Sequence, residues 1–194
     1  MAEPLTQRLR SANKGLHEDV EEQVGLPGTV RSRADYVALL QGLLGFHSSL
    51  EQELAAPRWQ PEWASLGLDL GDYRRSPLIR QDLVELGEPA DSAAGEPIGV
   101  TTFPQALGAL YVAEGSSLGG RFLAPQFLDA VGPVPVAFFQ SEGRGHPDPW
   151  RTLRAAIDGY GEAGADGDDV VAGARIAFEA FRTRLASPQW AGRG

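Results

Sequence analysis

The sequence predicts an all-α protein, a single domain over residues 1–194 in which helices pack on helices around one core. Three observations carry that expectation. Apolar residues recur at spacings of three and four through most of the chain, no stretch sustains the alternation of a strand, and proline or glycine stands wherever the helical spacing lapses. A chain of 194 residues can bury a sizeable core, and nothing in it reads as a linker between domains.

Residues 4–24 form the first predicted helix, with Leu5, Leu9, Ala12, Leu16 and Val20 on its apolar face. Pro4 suits a helix start, and Gly25-Leu26-Pro27-Gly28 ends it. A second helix is expected over 32–56, where Tyr36, Leu39, Leu40, Leu43, Leu44, Phe46 and Leu50 surround His47, and Pro57 stops it. A connecting stretch holds Trp59 and Trp63. Ser76-Pro77, a capping residue followed by a first-turn proline, opens a helix over 76–86. Residues 87–99 read as a loop. Residues 102–131 read as one long helical segment with small residues in its middle, Pro104 in its first turn and Pro125 expected to kink it or end it early. Gly132-Pro133-Val134-Pro135 breaks what remains. After a second loop at 143–149, helices are expected at 150–160 and 168–186, separated by the glycine-rich run 161–167.

Composition excludes whole classes of function. The formal net charge of −9 disfavours nucleic acid, whose phosphates need clustered Lys and Arg, and equally an anionic membrane surface. With no cysteine, the chain has no disulfide, no thiolate nucleophile and no Cys-ligated zinc or iron–sulfur cluster. Met1-Ala2-Glu3-Pro4 leads into a charged helix without the apolar run of a signal peptide, and no window is long and apolar enough to span a bilayer. A cytoplasmic protein is the expectation.

Two local patterns point to chemistry. Helical geometry lines up Arg10, Asn13 or Lys14, His17 and Glu21 along one side of the first helix. Arg10 stands two turns, about 10 Å, before His17, near the span from a haem iron to its propionates, and arginine suits carboxylate recognition. Glu21, one turn after His17, is placed to accept the second ring proton of a metal-bound imidazole. The same spacing describes a surface histidine with ordinary neighbours, which is the commoner case. The second pattern is Leu110-Tyr111-Val112-Ala113-Glu114-Gly115-Ser116-Ser117-Leu118-Gly119-Gly120-Arg121. Each glycine in a helix interior costs about 0.8–1 kcal/mol relative to alanine, so something must offset that cost. Gly115 and Gly119 share a face along which a flat ligand can approach the backbone, and close helix packing would explain them as well.

The whole chain resembles biliverdin-producing haem oxygenases, especially the bacterial ones paired with phytochromes. Gly15-Leu16-His17-Glu18-Asp19-Val20-Glu21 is similar to the family's proximal-histidine helix, and the segment from Ala109 to Gly120 to its distal helix. Phe46-His47-Ser48-Ser49-Leu50-Glu51, Ser76-Pro77-Leu78-Ile79-Arg80-Gln81-Asp82-Leu83, Gly132-Pro133, Phe138-Phe139 and Trp150 continue the match in order. The resemblance implies a haem-oxygenase-like bundle with haem between the first helix and the glycine-rich one. It implies His17 as the iron ligand, Glu21 as its second-proton acceptor, and Arg10 and Arg154 as propionate partners. Gly115, Ser116 and Gly119 would serve catalysis on the distal side, with Tyr111, Ser117, Gly120 and Phe178 lining the pocket. Haem would be both cofactor and substrate, opened to biliverdin, carbon monoxide and ferrous iron with oxygen and an external donor such as ferredoxin or a flavin reductase. A bacteriophytochrome is the biliverdin acceptor the resemblance suggests. One departure matters: animal relatives carry a distal-helix aspartate, and this chain has none between Thr101 and Gln126, which leaves Ser116 and Ser117 as the nearest polar groups.

Two rivals remain open at this level. A di-iron oxidase would need converging carboxylates and histidines, for which Glu114, His47 and Glu51 are candidates, although no Glu-x-x-His motif occurs. A non-catalytic haem carrier would use His17 and the glycine helix equally well. His47 reads as a structural hydrogen-bonding residue, His146 as solvated, and Asp166-Gly167-Asp168-Asp169 as an N-cap cluster rather than a calcium loop.

Overall fold

A computed structural model describes residues 3–90, 95–140, 148–165 and 167–185, with Glu21 described by its backbone alone. Among the described residues the chain forms α-helices and no strand. In order they are α1 (Leu5–Val24), α2 (Arg33–Leu54), α3 (Gln60–Ser65), α4 (Ser76–Glu85), α5 (Phe103–Ser117), α6 (Gly120–Val131), α7 (Pro149–Glu162) and α8 (Gly167–Leu185). Short 3₁₀ turns, Pro57–Trp59 and Leu70–Tyr73, precede α3 and α4.

Local chemistry sets most helix ends. Ser32 accepts from the Asp35 amide at 3.2 Å, Thr102 from the Gln105 amide at 3.3 Å and Asp148 from the Trp150 amide at 3.1 Å, each satisfying a first-turn donor. Gly132, at φ 82°, closes α6 in a backbone region that a side chain would strain.

Buried side chains gather in two clusters. One joins Leu5 and Leu9 of α1 to Phe46 and Leu50 of α2, Trp63, the inner face of α5, Leu153 and Ile157 of α7, and Val170, Ala174 and Ala177 of α8. The other joins Val20 and Val24 to Tyr36, Leu40 and Leu44 of α2, Ile79 and Leu83 of α4, Phe127 of α6, and Phe138 and Phe139. Phe178 and Phe181 of α8 pack on both. The α5–α8 crossing is the tightest in the molecule to be argued from glycine: a Cβ on Gly108 would lie 1.9 Å from the Val170 carbonyl oxygen, and one on Gly173 would lie 2.0 Å from that of Gln105. Only glycine at both points lets the backbones meet.

Two expectations need correction. The segment 102–131 does break, but at Leu118–Gly119, and Pro125 sits inside an intact α6. The reason lies in the small residues: the hydroxyls of Ser116 and Ser117 donate back to Ala113 and Glu114 carbonyls, and the Leu118 amide takes Gly115 at 3.3 Å, a tightened last turn. Ser76 does not cap α4. Its hydroxyl donates to Glu51, a stronger acceptor brought over by α2. As expected, Asp168 and Asp169 stand in the first turn of α8, where the helix dipole favours them, and they also act as tethers: Asp168 pairs with Arg8 of α1, and Asp169 accepts from Thr102 and, at 2.7 Å, from Gln105 of α5. Asp166 and His146 lie outside the described residues.

Candidate functional site

The inner face of α1 is buried through Leu5, Leu9, Asn13, Val20 and Val24, which leaves Arg10 and His17 exposed on a neighbouring face. Asn13, one alternative for the functional side, turns inward, and its amide donates to the Leu9 carbonyl at 2.9 Å. The His17 ring stands edge-on to Phe178 of α8, centroids 6.0 Å apart at 79°. Phe178 thus gives the imidazole an apolar wall on one side. The Glu21 side chain is outside the described residues.

A second group forms where α1, α5 and α7 converge. Burial pushes the Tyr111 phenol above its ordinary value, while the charges of Arg154 and then Arg10 pull it back and that of Asp158 pushes it further up, so all three charges act on this one hydroxyl. Tyr111 also lies against Trp150, centroids 5.1 Å apart, and Arg154 approaches the same indole at 5.9 Å. Between the neighbouring arginines of α7, it is Arg154 that reaches this group. Trp150 continues over α5, where a Cβ added to Gly115 would sit 3.4 Å from Cη2 of its ring. Its importance was legible only as one letter of the family match; the local signal is an aromatic at the start of α7, four residues before Arg154.

Past Gly115 the backbone is bare. A Cβ on Gly119 would meet nothing closer than the Ser116 carbonyl oxygen at 3.9 Å. Gly120 is different: its Cβ would fall 2.7 Å from the Phe139 carbonyl oxygen, so its smallness is already required by packing of α6 on that loop. Ser116 is exposed and Ser117 buried, and each commits its O–H to a backbone carbonyl, at 2.8 and 2.7 Å. Their lone pairs remain as acceptors.

A family model described as heme oxygenase matches residues 3–187. The chain belongs to the haem oxygenase family. A heme oxygenase from Xanthomonas campestris pv. campestris (strain 8004) is 35% identical over 115 residues, 59% of this chain and 68% of that one. Among solved structures, the NO- and CO-bound heme oxygenase from Neisseria meningitidis superimposes with a TM-score of 0.76 at 23% identity, covering 95% of this chain and 91% of that one, a likeness of fold. As a haem oxygenase the protein takes haem as substrate and prosthetic group, with oxygen and an electron donor. The family's reaction yields biliverdin, carbon monoxide and iron.

The residues present suit that ligand. An exposed imidazole stands on α1, a stretch of α5 and α6 offers backbone where side chains would obstruct a flat macrocycle, and Arg154 lies with Tyr111 against Trp150, where it can meet its carboxylates. The crevice lined by Leu16, Asp19, Val20, Phe178, Glu179 and Arg182 holds about 40 Å³, far below the usual range for ligand sites.

The carboxylates considered for a di-iron centre are engaged otherwise. Glu114 receives Arg75 on both oxygens at 2.7 Å, and Glu51 accepts the Arg75 and Ser76 amides at 2.7 and 2.8 Å. Among the described residues no three His, Asp or Glu converge as metal ligands. His47 is fully buried between Phe46 and Phe138, and burial followed by the Arg75 charge lowers its pKa to about 3. Sequence reasoning had no means of finding Arg75, because its partner is 39 positions away.

Proposed function

We propose that His17 would hold the haem iron, with Arg10, Tyr111 and Arg154 receiving the propionates and Gly115 and Gly119 giving the macrocycle room. The observation that carries this reading is the packing of Tyr111 and Arg154 against Trp150 at one end of the site, with Arg10, whose charge also acts on Tyr111, two turns along α1 from the exposed His17. When bound, the haem iron supplies oxygen binding and the macrocycle is what becomes oxidised. The chain's own part is placement. Phe178 restricts rotation of the imidazole, and Glu21 is the group assigned to its second nitrogen. Ser117 and Gly120 complete the pocket wall.

Proton supply falls to Ser116. Its proton rests on the Ala113 carbonyl, which leaves the oxygen lone pairs as acceptors. Donation therefore requires rotation off that carbonyl or a water bound to the serine oxygen. Ferredoxin or a flavin reductase is the donor class proposed, the cytoplasm is the compartment, and a bacteriophytochrome is the acceptor of biliverdin. Among the described residues no helix is long and apolar enough to cross a membrane.

The test is aerobic incubation of hemin-loaded protein with ferredoxin and its reductase. Biliverdin absorbance should grow as the Soret band decays, whereas a carrier would keep its Soret band. His17→Ala should lose the imidazole-ligated haem spectrum; an unchanged spectrum in that variant refutes the ligand assignment.

A further inference from the structure

Tyr73, Arg75 and Ser76, from the last residue of the 3₁₀ turn to the first of α4, grip three separate helices. The Tyr73 hydroxyl donates to the Pro149 carbonyl at the start of α7, at 3.1 Å. The Arg75 guanidinium binds both carboxylate oxygens of Glu114 on α5 at 2.7 Å, with the two residues only 6% and 4% exposed. The backbone amides of Arg75 and Ser76 bind Glu51 of α2 at 2.7 and 2.8 Å. The two outlying partners share a property. Glu114 immediately precedes Gly115, Pro149 immediately precedes Trp150, and Gly115 and Trp150 are the two residues that face each other at the site.

A buried ion pair is a weak source of stability, because desolvation of both charges offsets their attraction, but it is directional. Here a single guanidinium nitrogen of Arg75 reaches both carboxylate oxygens, which fixes the distance between the two side chains. Burial also pushes the Tyr73 phenol up, and the Glu114 charge adds to that, so the phenol stays protonated and able to donate. The arrangement gains precision in the mutual placement of Gly115 and Trp150, where an apolar substitute of equal volume would only fill space.

We propose that Tyr73 and Arg75 are positioning residues for haem turnover: by holding Pro149 and Glu114 they set Trp150 against Gly115, and so set how haem is seated and which meso carbon is oxidised. The proposal rests on the haem site assigned above.

Full-length protein loaded with hemin tests it in three forms: parent, Tyr73→Phe, which deletes one O–H, and Glu114→Gln, which keeps shape and removes the charge. The parent's Soret band and its sensitivity to His17→Ala check the haem site first; if those fail, the site assignment and this proposal fall together. The decisive signals are the haem-methyl proton shifts of the cyanide-bound ferric form and the ratio of biliverdin isomers. We expect altered methyl shifts in both variants and an isomer ratio changed by about fivefold in Tyr73→Phe, the factor corresponding to one net hydrogen bond. Unaltered shifts and isomer ratio in folded, haem-binding Tyr73→Phe overturn the proposal while leaving the site assignment standing, whatever happens to thermal stability. If Glu114→Gln fails to fold, Tyr73→Phe alone decides.

Discussion

His47 shows how one buried group ties stability to pH. Its ring lies 5.1 Å from Phe46 and 5.4 Å from Phe138, and its Nε2 has no hydrogen-bond partner. With its pKa lowered from 6.5 to about 3, the imidazole is neutral in the fold and protonates on unfolding in mild acid. The folded value is depressed, so the unfolded chain binds the extra proton in between. His47 therefore leaves stability undiminished above about pH 6.5 and subtracts from it as pH falls, by at most about 1.4 kcal/mol per pH unit. Asp82 acts in the opposite direction at lower pH, because burial raises its carboxyl even though the Ala137 and Phe138 amides bind it. Urea unfolding between about pH 5 and 6.5 should thus show stability rising with pH in the parent and a flatter profile in His47→Gln. Parallel profiles would mean that His47 is not neutral in the fold. The apolar residues around His47 in sequence point to burial, but Phe138, which closes over the ring, and Arg75, whose charge lowers its pKa further, are both remote along the chain.

At the scale of elements, the glycines divide by what they touch. Gly108 and Gly173 hold α5 and α8 in backbone contact, whereas Gly119 faces open space in an ordinary helical conformation, φ −74°. Gly173→Ala should therefore cost about 3 kcal/mol or more in urea unfolding, since α8 must move away from Gln105 and both clusters share α8. Gly119→Ala should change stability by no more than about 0.5 kcal/mol, yet depress haem turnover by placing a methyl group on the bare stretch. Equal stability losses would refute the division. The sequence marked the small-residue run from Gly115 to Gly120 as functional, but it did not separate Gly120, held by Phe139, from Gly119. Glycine looks the same in sequence whether it faces a ligand or another helix.

At the scale of the molecule, the proposed haem site draws on α1, α5, α7 and α8, and none of these is sufficient alone. A ligand that binds only this assembled arrangement stabilises the whole fold. Hemin at about 100 times its dissociation constant should add about 2.7 kcal/mol to unfolding, read as a rising midpoint with increasing hemin, and His17→Ala should lose most of that gain. A midpoint in the parent that ignores hemin would show that the ligand does not discriminate folded from unfolded chain.

By itself the sequence determined the helical class, the helix ends apart from those of α3 and the α5–α6 break, and the two segments carrying His17 and the bare glycines. These depend on spacing, caps and prolines that act within a turn or two. Only the tertiary structure decided where the 102–131 segment breaks, what Ser76 binds, which arginine of α7 meets Tyr111, and how Tyr73 and Arg75 reach Pro149 and Glu114. Those contacts join positions far apart in the chain, and their strength comes from burial that exists only once the helices have packed.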